Sequence, residues 1–280
     1  MTNDQNEARE PQARTASPAI IALAAWSLVV SSVVAAEPAP VPRAALRTML
    51  PWVMPDGAWE ASVGVAYLDD ARPAFLGDEP GFVRDVWQAN VVDAAVGLGE
   101  RCEARLWWGV QRIDERGAEP VTGVQDARIR FAFTLPSRGI DWSAGMVVKL
   151  PNAPGEDRLG TDETDVAFLV ASGWQSSRWG WGANLGFGIL GHPVEAGTQD
   201  DVLLFALAGW WSSDSSPLRL FAEVEGLAAS RFGNDVRTLG AGAVMGRRFP
   251  VTVALRSGLT APSPDWSAEA MVTFVPGRGD

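Results

Sequence analysis

The sequence predicts an all-β fold: an antiparallel, up-and-down transmembrane β-barrel of about twelve strands, of the outer-membrane type. Three observations predict it. Apolar residues alternate with small or polar ones through a dozen segments of about eleven residues, the length a tilted strand needs to cross a bilayer. The connections between these segments alternate between short and long. Only one stretch, near the N-terminus, is long and apolar enough to resemble a membrane helix, and it reads as an export signal.

That stretch runs from Ala19 to Ala36 behind a polar start carrying Arg9 and Arg14 among Asp4, Glu7 and Glu10. Small residues, Ser31, Ser32, Ala35 and Ala36, precede Glu37-Pro-Ala-Pro, and no basic stop-transfer cluster follows. Cleavage after Ala36 is expected. The expected organisation is a signal peptide with a polar extension over 1–36, a periplasmic linker over 37–55, the barrel over 56–275 and a tail over 276–280.

The strands follow in order. Over 57–68, Trp59, Ala61, Val63, Val65 and Tyr67 share one face, against Glu60, Ser62, Gly64 and Ala66. The segments 86–98 and 201–211 are apolar on both faces, which leaves their register open. Over 102–112, Leu106, Trp108 and Val110 oppose Glu103, Arg105 and Gln111; over 123–133, Ile129, Phe131 and Phe133 oppose Asp126, Arg128 and Arg130. Over 140–150, Trp142, Met146 and Val148 oppose Asp141, Ser143 and Lys149; over 164–174, Val166, Phe168 and Val170 oppose Asp165 and Ala171. Over 178–190, Leu185, Phe187 and Ile189 oppose Asn184, Gly186 and Gly188. The pattern persists through 218–228, 236–246, 250–259 and 266–274, whose polar faces carry Arg219, Glu223, Glu225, Arg237, Arg256 and Glu269. No segment after residue 36 shows the i, i+3, i+4, i+7 spacing of an amphipathic helix.

The apolar face is expected to meet lipid. A soluble barrel would turn long charged residues outward, whereas here the non-apolar face is rich in Gly, Ala, Ser and Asn, with isolated charges of both signs. Such charges pair in a confined interior. Tryptophan is abundant, 13 residues against a single Tyr. Trp59, Trp142, Trp174, Trp179, Trp210 and Trp211 fall at the short-turn ends of the expected strands, as an interfacial girdle would. The competing reading is a soluble two-sheet sandwich with core tryptophans.

Several classes are excluded by composition. A net charge of -11, from 34 acidic and 23 basic residues, opposes nucleic-acid binding. One cysteine, Cys102, permits no internal disulfide, and one histidine, His192, permits no motif needing two. Gly186-Phe-Gly-Ile-Leu-Gly191 fits a dinucleotide fingerprint in letters, but it lies within a strand and opens no helix. His192 with Glu195 could serve a lipid hydrolase, yet no serine carries a nucleophile signature. The acids Glu156, Asp157, Asp162, Glu163 and Asp165 lack EF-hand spacing and read as a solvated loop that could share divalent cations with lipid phosphates. No cofactor is expected. The expected partners are outer-membrane lipid, lipopolysaccharide included, and a small-molecule permeant.

Four short motifs occur in an order that resembles one bacterial outer-membrane barrel family, labelled "MetA pathway of phenol degradation" or simply "transporter". They are Gly97-Leu-Gly-Glu-Arg-Cys-Glu103 at a hairpin, Gly123-Val-Gln-Asp126, Lys149-Leu-Pro151 followed by Leu159-Gly-Thr-Asp162, and Glu223-Val-Glu-Gly226. Asp162-Glu163 replaces that family's second loop glycine, and the chain continues past Phe274. The resemblance implies an outer-membrane pore for small compounds, aromatic or hydrophobic ones among them. The residues expected to line its lumen are Asp126, Arg128, Arg130, Lys149, Asp165, Asn184, Arg219, Glu223, Glu225, Arg237 and Arg256. They would set ion selectivity, bind a permeant or pair to hold the interior together.

Overall fold

In the computed structural model, the described residues are 47–71, 84–115, 117–154, 159–160, 162–191, 199–230, 235–247 and 249–276. The expected signal peptide, the first part of the linker, His192, Glu195, Glu156 and Asp157 lie outside them.

Thirteen strand segments follow one another: β1 (Trp59–Ala71), β2 (Arg84–Gly97), β3 (Cys102–Glu115), β4 (Val121–Val124), β5 (Ala127–Leu135), β6 (Asp141–Leu150), β7 (Asp165–Gln175), β8 (Trp179–Gly191), β9 (Gln199–Ser212), β10 (Leu218–Ala229), β11 (Val236–Met245), β12 (Val251–Gly258) and β13 (Trp266–Phe274). Each pairs antiparallel with its neighbour, and β4 and β5 both pair with β3 as two halves of one interrupted strand. β13 pairs back onto β1, with Ala61 opposite Phe274 and Asp69 opposite Trp266. The result is a closed twelve-stranded antiparallel barrel, in which the short β4 pairs on one side, with β3. No helix occurs among the described residues.

The two strands of open register, β2 and β9, each depart from simple alternation for a local reason. In β2, Asp93 lies opposite Ser62 but Asn90 lies opposite Gly64, so β2 holds one extra residue there. The same shift recurs against β3. Val91 is the bulged residue, and it is exposed. A bulge changes which parity faces inward, so one strand shows apolar residues on both faces of a simple alternation. In β9, Val202, Ala208 and Trp210 are buried inside, while Leu203 and Leu207 face out. Here Ala208 and Trp210 are inward and apolar because they pack against Leu50 and Trp52 of an internal segment.

Outside, the barrel presents Val63, Val65, Leu106, Phe168, Leu185, Phe187, Leu239 and Leu255, all exposed. Inside it buries Glu60, Asp93, Arg105, Ser143, Lys149, Glu223, Thr252 and Arg256. In water this inversion would expose a continuous apolar belt; in a bilayer it places hydrocarbon against hydrocarbon. The two-sheet sandwich is thereby excluded. Trp59, Trp142, Trp174 and Trp179 are exposed at the short-turn ends, as a girdle requires. Trp210 is not part of it: it turns inward, its ring 6.1 Å from that of Trp52. A second aromatic band forms at the opposite end, where Tyr67 lies 4.7 Å from Trp87 and 5.1 Å from Trp266 between ring centroids.

The short turns obey local chemistry. Gly99 and Gly246 have φ of +79° and +98°, the left-handed conformation that glycine adopts without steric cost. Arg178, between β7 and β8, pairs with Asp214 between β9 and β10; that hydrogen bond and charge raise its guanidinium above the ordinary arginine range.

Residues 47–55 depart from the expected linker. Thr48, Met49, Leu50, Pro51 and Met54 are buried against inward-facing side chains of the barrel. Inward glycines make the room: a Cβ on Gly145 would lie 2.8 Å from the Met49 sulfur, on Gly182 3.0 Å from Leu50, and on Gly173 3.1 Å from Pro51. This segment carries no alternation and no charge between Thr48 and Pro55, so nothing in its own pattern marked it as an internal element.

Candidate functional site

The candidate site is the lumen, and its wall is organised by three ion-pair clusters. The first joins β1, β2, β3 and β5. Arg105 donates to both oxygens of Asp93, at 2.8 and 3.0 Å, and to Glu60 at 3.2 Å. Arg130 donates to Glu103 at 3.0 Å. The guanidinium carbons of Arg105 and Arg130 lie 5.2 and 5.3 Å from the Trp107 ring centroid, within cation–π range.

The second cluster joins β10, β11, β12 and β13. Arg256 donates to Glu223 at 2.6 Å and to Glu269. Arg47, at the start of the inner segment, donates to Glu225 at 2.7 Å and pairs with Glu269 at 3.5 Å. Thr238 donates to Glu225 at 3.1 Å.

The third lies where the fourth strand breaks. Lys149 pairs with Asp165 at 2.9 Å and with Asp126 at 3.6 Å. Asp126 sits in the gap between β4 and β5, where its Oδ1 accepts the N–H groups of Asn152 and Ala153 at 3.1 and 2.9 Å. The Asn152 amide fills the gap, accepting from Ala127 N at 2.6 Å and donating to the Gln125 carbonyl at 3.1 Å. A side chain thus replaces two missing ladder hydrogen bonds. The same loop turns Leu159 inward, where it is buried against Gly123 and accepts from Gln111 through its carbonyl at 2.8 Å.

Two of these clusters also seat the inner segment by one repeated device. Glu103 gives one oxygen to Arg130 and the other to Met54 N, at 3.0 Å. Glu223 gives one oxygen to Arg256 and the other to Arg47 N at 3.1 Å, with Thr48 N and Oγ1 at 3.4 and 3.3 Å. Each carboxylate is oriented by an arginine of the wall, and its other oxygen takes a backbone donor. Asn184 adds a ladder-like pair, accepting from Met49 N and donating to Met49 O, both at 2.6 Å. Trp52 donates its indole N–H to Asp141 at 2.6 Å.

Of the eleven residues read from sequence, Asp126, Arg130, Lys149, Asp165, Asn184, Glu223, Glu225 and Arg256 sit in these contacts. Arg128 faces inward, with Lys149 on one side and Trp107 on the other; it is exposed and has no ion pair or hydrogen bond among the described residues. Arg219 faces inward near the short-turn end, opposite Val244 and Ser212. Arg237 departs from expectation. It shares its parity with the exposed Leu239, pairs with Asp235 at 2.6 Å at the long-loop rim, and leaves the inward place to buried Thr238. A charge on the outward face is tolerated there because a strand end stands in the wet interface rather than in hydrocarbon. The inner segment's Arg47, Met49 and Trp52 were missed, because their partners lie far away in sequence.

The fold and interior define a closed outer-membrane-type barrel with a polar lumen and an internal segment seated in it. No family model matches the chain, and no curated protein matches it. Among solved structures it is similar to an outer-membrane channel from Pseudomonas putida F1, at 12% identity and a TM-score of 0.61, covering 80% of this chain and 97% of that one. It is also similar to the NanC porin, at 8% identity and a TM-score of 0.52, covering 77% and 100%. At these identities the likeness is one of fold.

Proposed function

We propose that the protein is a passive channel of the bacterial outer membrane for small molecules, exported through the signal over 1–36. The observation that carries this reading is a closed barrel with an apolar exterior and a charged, hydrogen-bonded interior, in which Arg128 remains exposed. An interior built only for mechanical strength would be packed throughout. Two solved structures of similar fold are a channel and a porin, which supports the same reading. The motif resemblance supports small aromatic or hydrophobic compounds as the permeants. The exterior belt and the two aromatic bands fit outer-membrane lipid, lipopolysaccharide included, as the surrounding partner. The inner segment narrows the passage from the short-turn side, so flux depends on its position. No catalytic residue is assigned.

Liposome swelling with the full chain tests the proposal. Swelling in small solutes above protein-free liposomes is expected, and none with any solute would refute a pore.

A further inference from the structure

We infer that the lumen favours cations over anions, and that its selectivity is set by the water-facing carboxylates Asp165, Glu225 and Glu269. For the flux it describes, the inference rests on the channel reading above. Its permeant class is then small inorganic cations and protonated amines, passed in preference to carboxylates.

The first observation is how the cations are used. Arg105, Lys149, Arg256 and Arg47 each bridge two carboxylates. Counted over the named groups, each of the three clusters carries one more carboxylate than cations. Asp165 accepts Gly191 N–H at 2.8 Å in addition to its pair with Lys149.

The second observation is which partner meets water. Lys149 is 7% exposed by side chain and its partner Asp165 is 20%. Arg256 is 1% exposed and its partner Glu269 is 18%. Glu225 is 23% exposed. In these pairs the wall cation lies behind its carboxylate, and a mobile ion meets the oxygens first. Arg47 is the more exposed partner of Glu225, at 38%, but its guanidinium is engaged by two carboxylates. Arg128, which is exposed, and Arg219, which also faces inward, oppose the trend as two further cations. A ring of fixed charge in a narrow passage selects the opposite sign, and salt screens that field.

Two measurements test this. In planar bilayers under a KCl gradient, the reversal potential is expected to report potassium permeating several-fold better than chloride. The ratio is expected to fall toward unity in Asp165→Asn, Glu225→Gln and Glu269→Gln, and to rise in Arg128→Gln. Chloride preference, or a ratio indifferent to all three carboxylate substitutions, would overturn the inference. The second measurement needs no flux. Ala206 faces inward opposite Glu225. In a Cys102→Ser, Ala206→Cys chain, a cationic methanethiosulfonate is expected to react several-fold faster than an anionic one, and Glu225→Gln is expected to shrink that difference. Equal rates, or faster anionic modification, would overturn the inference. A rate difference without conductance would uphold the lumen's cation preference and refute the channel reading instead.

Discussion

Met49 and Asn184 are joined by two hydrogen bonds of 2.6 Å, backbone N–H to side-chain oxygen and side-chain N–H to backbone carbonyl. They stand 135 residues apart in sequence. The wall thus offers the inner segment the pairing that a neighbouring strand would offer. Replacing Asn184 by Leu removes both bonds and strands two backbone groups, a loss of about 1–3 kcal/mol. In a Cys102→Ser, Met49→Cys chain, thiol labelling from water is expected to accelerate by about ten-fold or more when Asn184→Leu is added.

The same segment is displaced by steric means. Gly182→Val places atoms where Leu50 now packs. Single-channel conductance is expected to rise while the barrel itself persists, since Gly182 lies in a wall that its neighbours continue to pair. An unchanged conductance would show that the segment does not limit the passage.

Arg256 is buried and neutralises Glu223 and Glu269 together. Arg256→Ala leaves the buried Glu223 without its counter-charge, at a cost of about 3–5 kcal/mol. The temperature at which the folded band converts to the slower, unfolded band on a gel is expected to drop markedly. Arg256→Lys retains the charge but not the two-pronged geometry, and is expected to fall between the two.

Leu255 is exposed near the middle of β12 and faces away from the lumen. Leu255→Arg is expected to destabilise the membrane-inserted barrel by about 2–4 kcal/mol. Refolding titrations in lipid vesicles would show it, and Leu255→Met is expected to be close to neutral.

Much of this architecture was legible in the period of the chain. Strands such as Trp179–Gly191 obey strict alternation, because one side meets lipid and the other meets a crowded interior. Legibility failed where a local rule was broken by a distant contact. The bulge at Val91 changes parity within β2, which a pattern of fixed period does not follow. Trp210 has the composition of a girdle residue, but its inward parity and the nearby Trp52 bring it into the lumen. Arg237 has the charge of a lumen residue and the parity of a lipid-facing one; parity decides its place. The lumen candidates on alternating strands emerged from sequence, whereas their pairing across strands did not. Residues 47–55 gave no internal signal, because their partners, Glu103, Asn184 and Glu223, are supplied by three separate strands.

The apolar face of each strand meets hydrocarbon and the polar face encloses the lumen. Spin labels at Leu255→Cys and at Arg128→Cys, each in a Cys102→Ser chain reconstituted in bilayers, test this directly. Strong relaxation is expected of the Leu255 site by oxygen, which concentrates in lipid, and of the Arg128 site by a water-soluble nickel chelate. The reverse pattern, with Leu255 shielded from oxygen and Arg128 in contact with lipid, would contradict it.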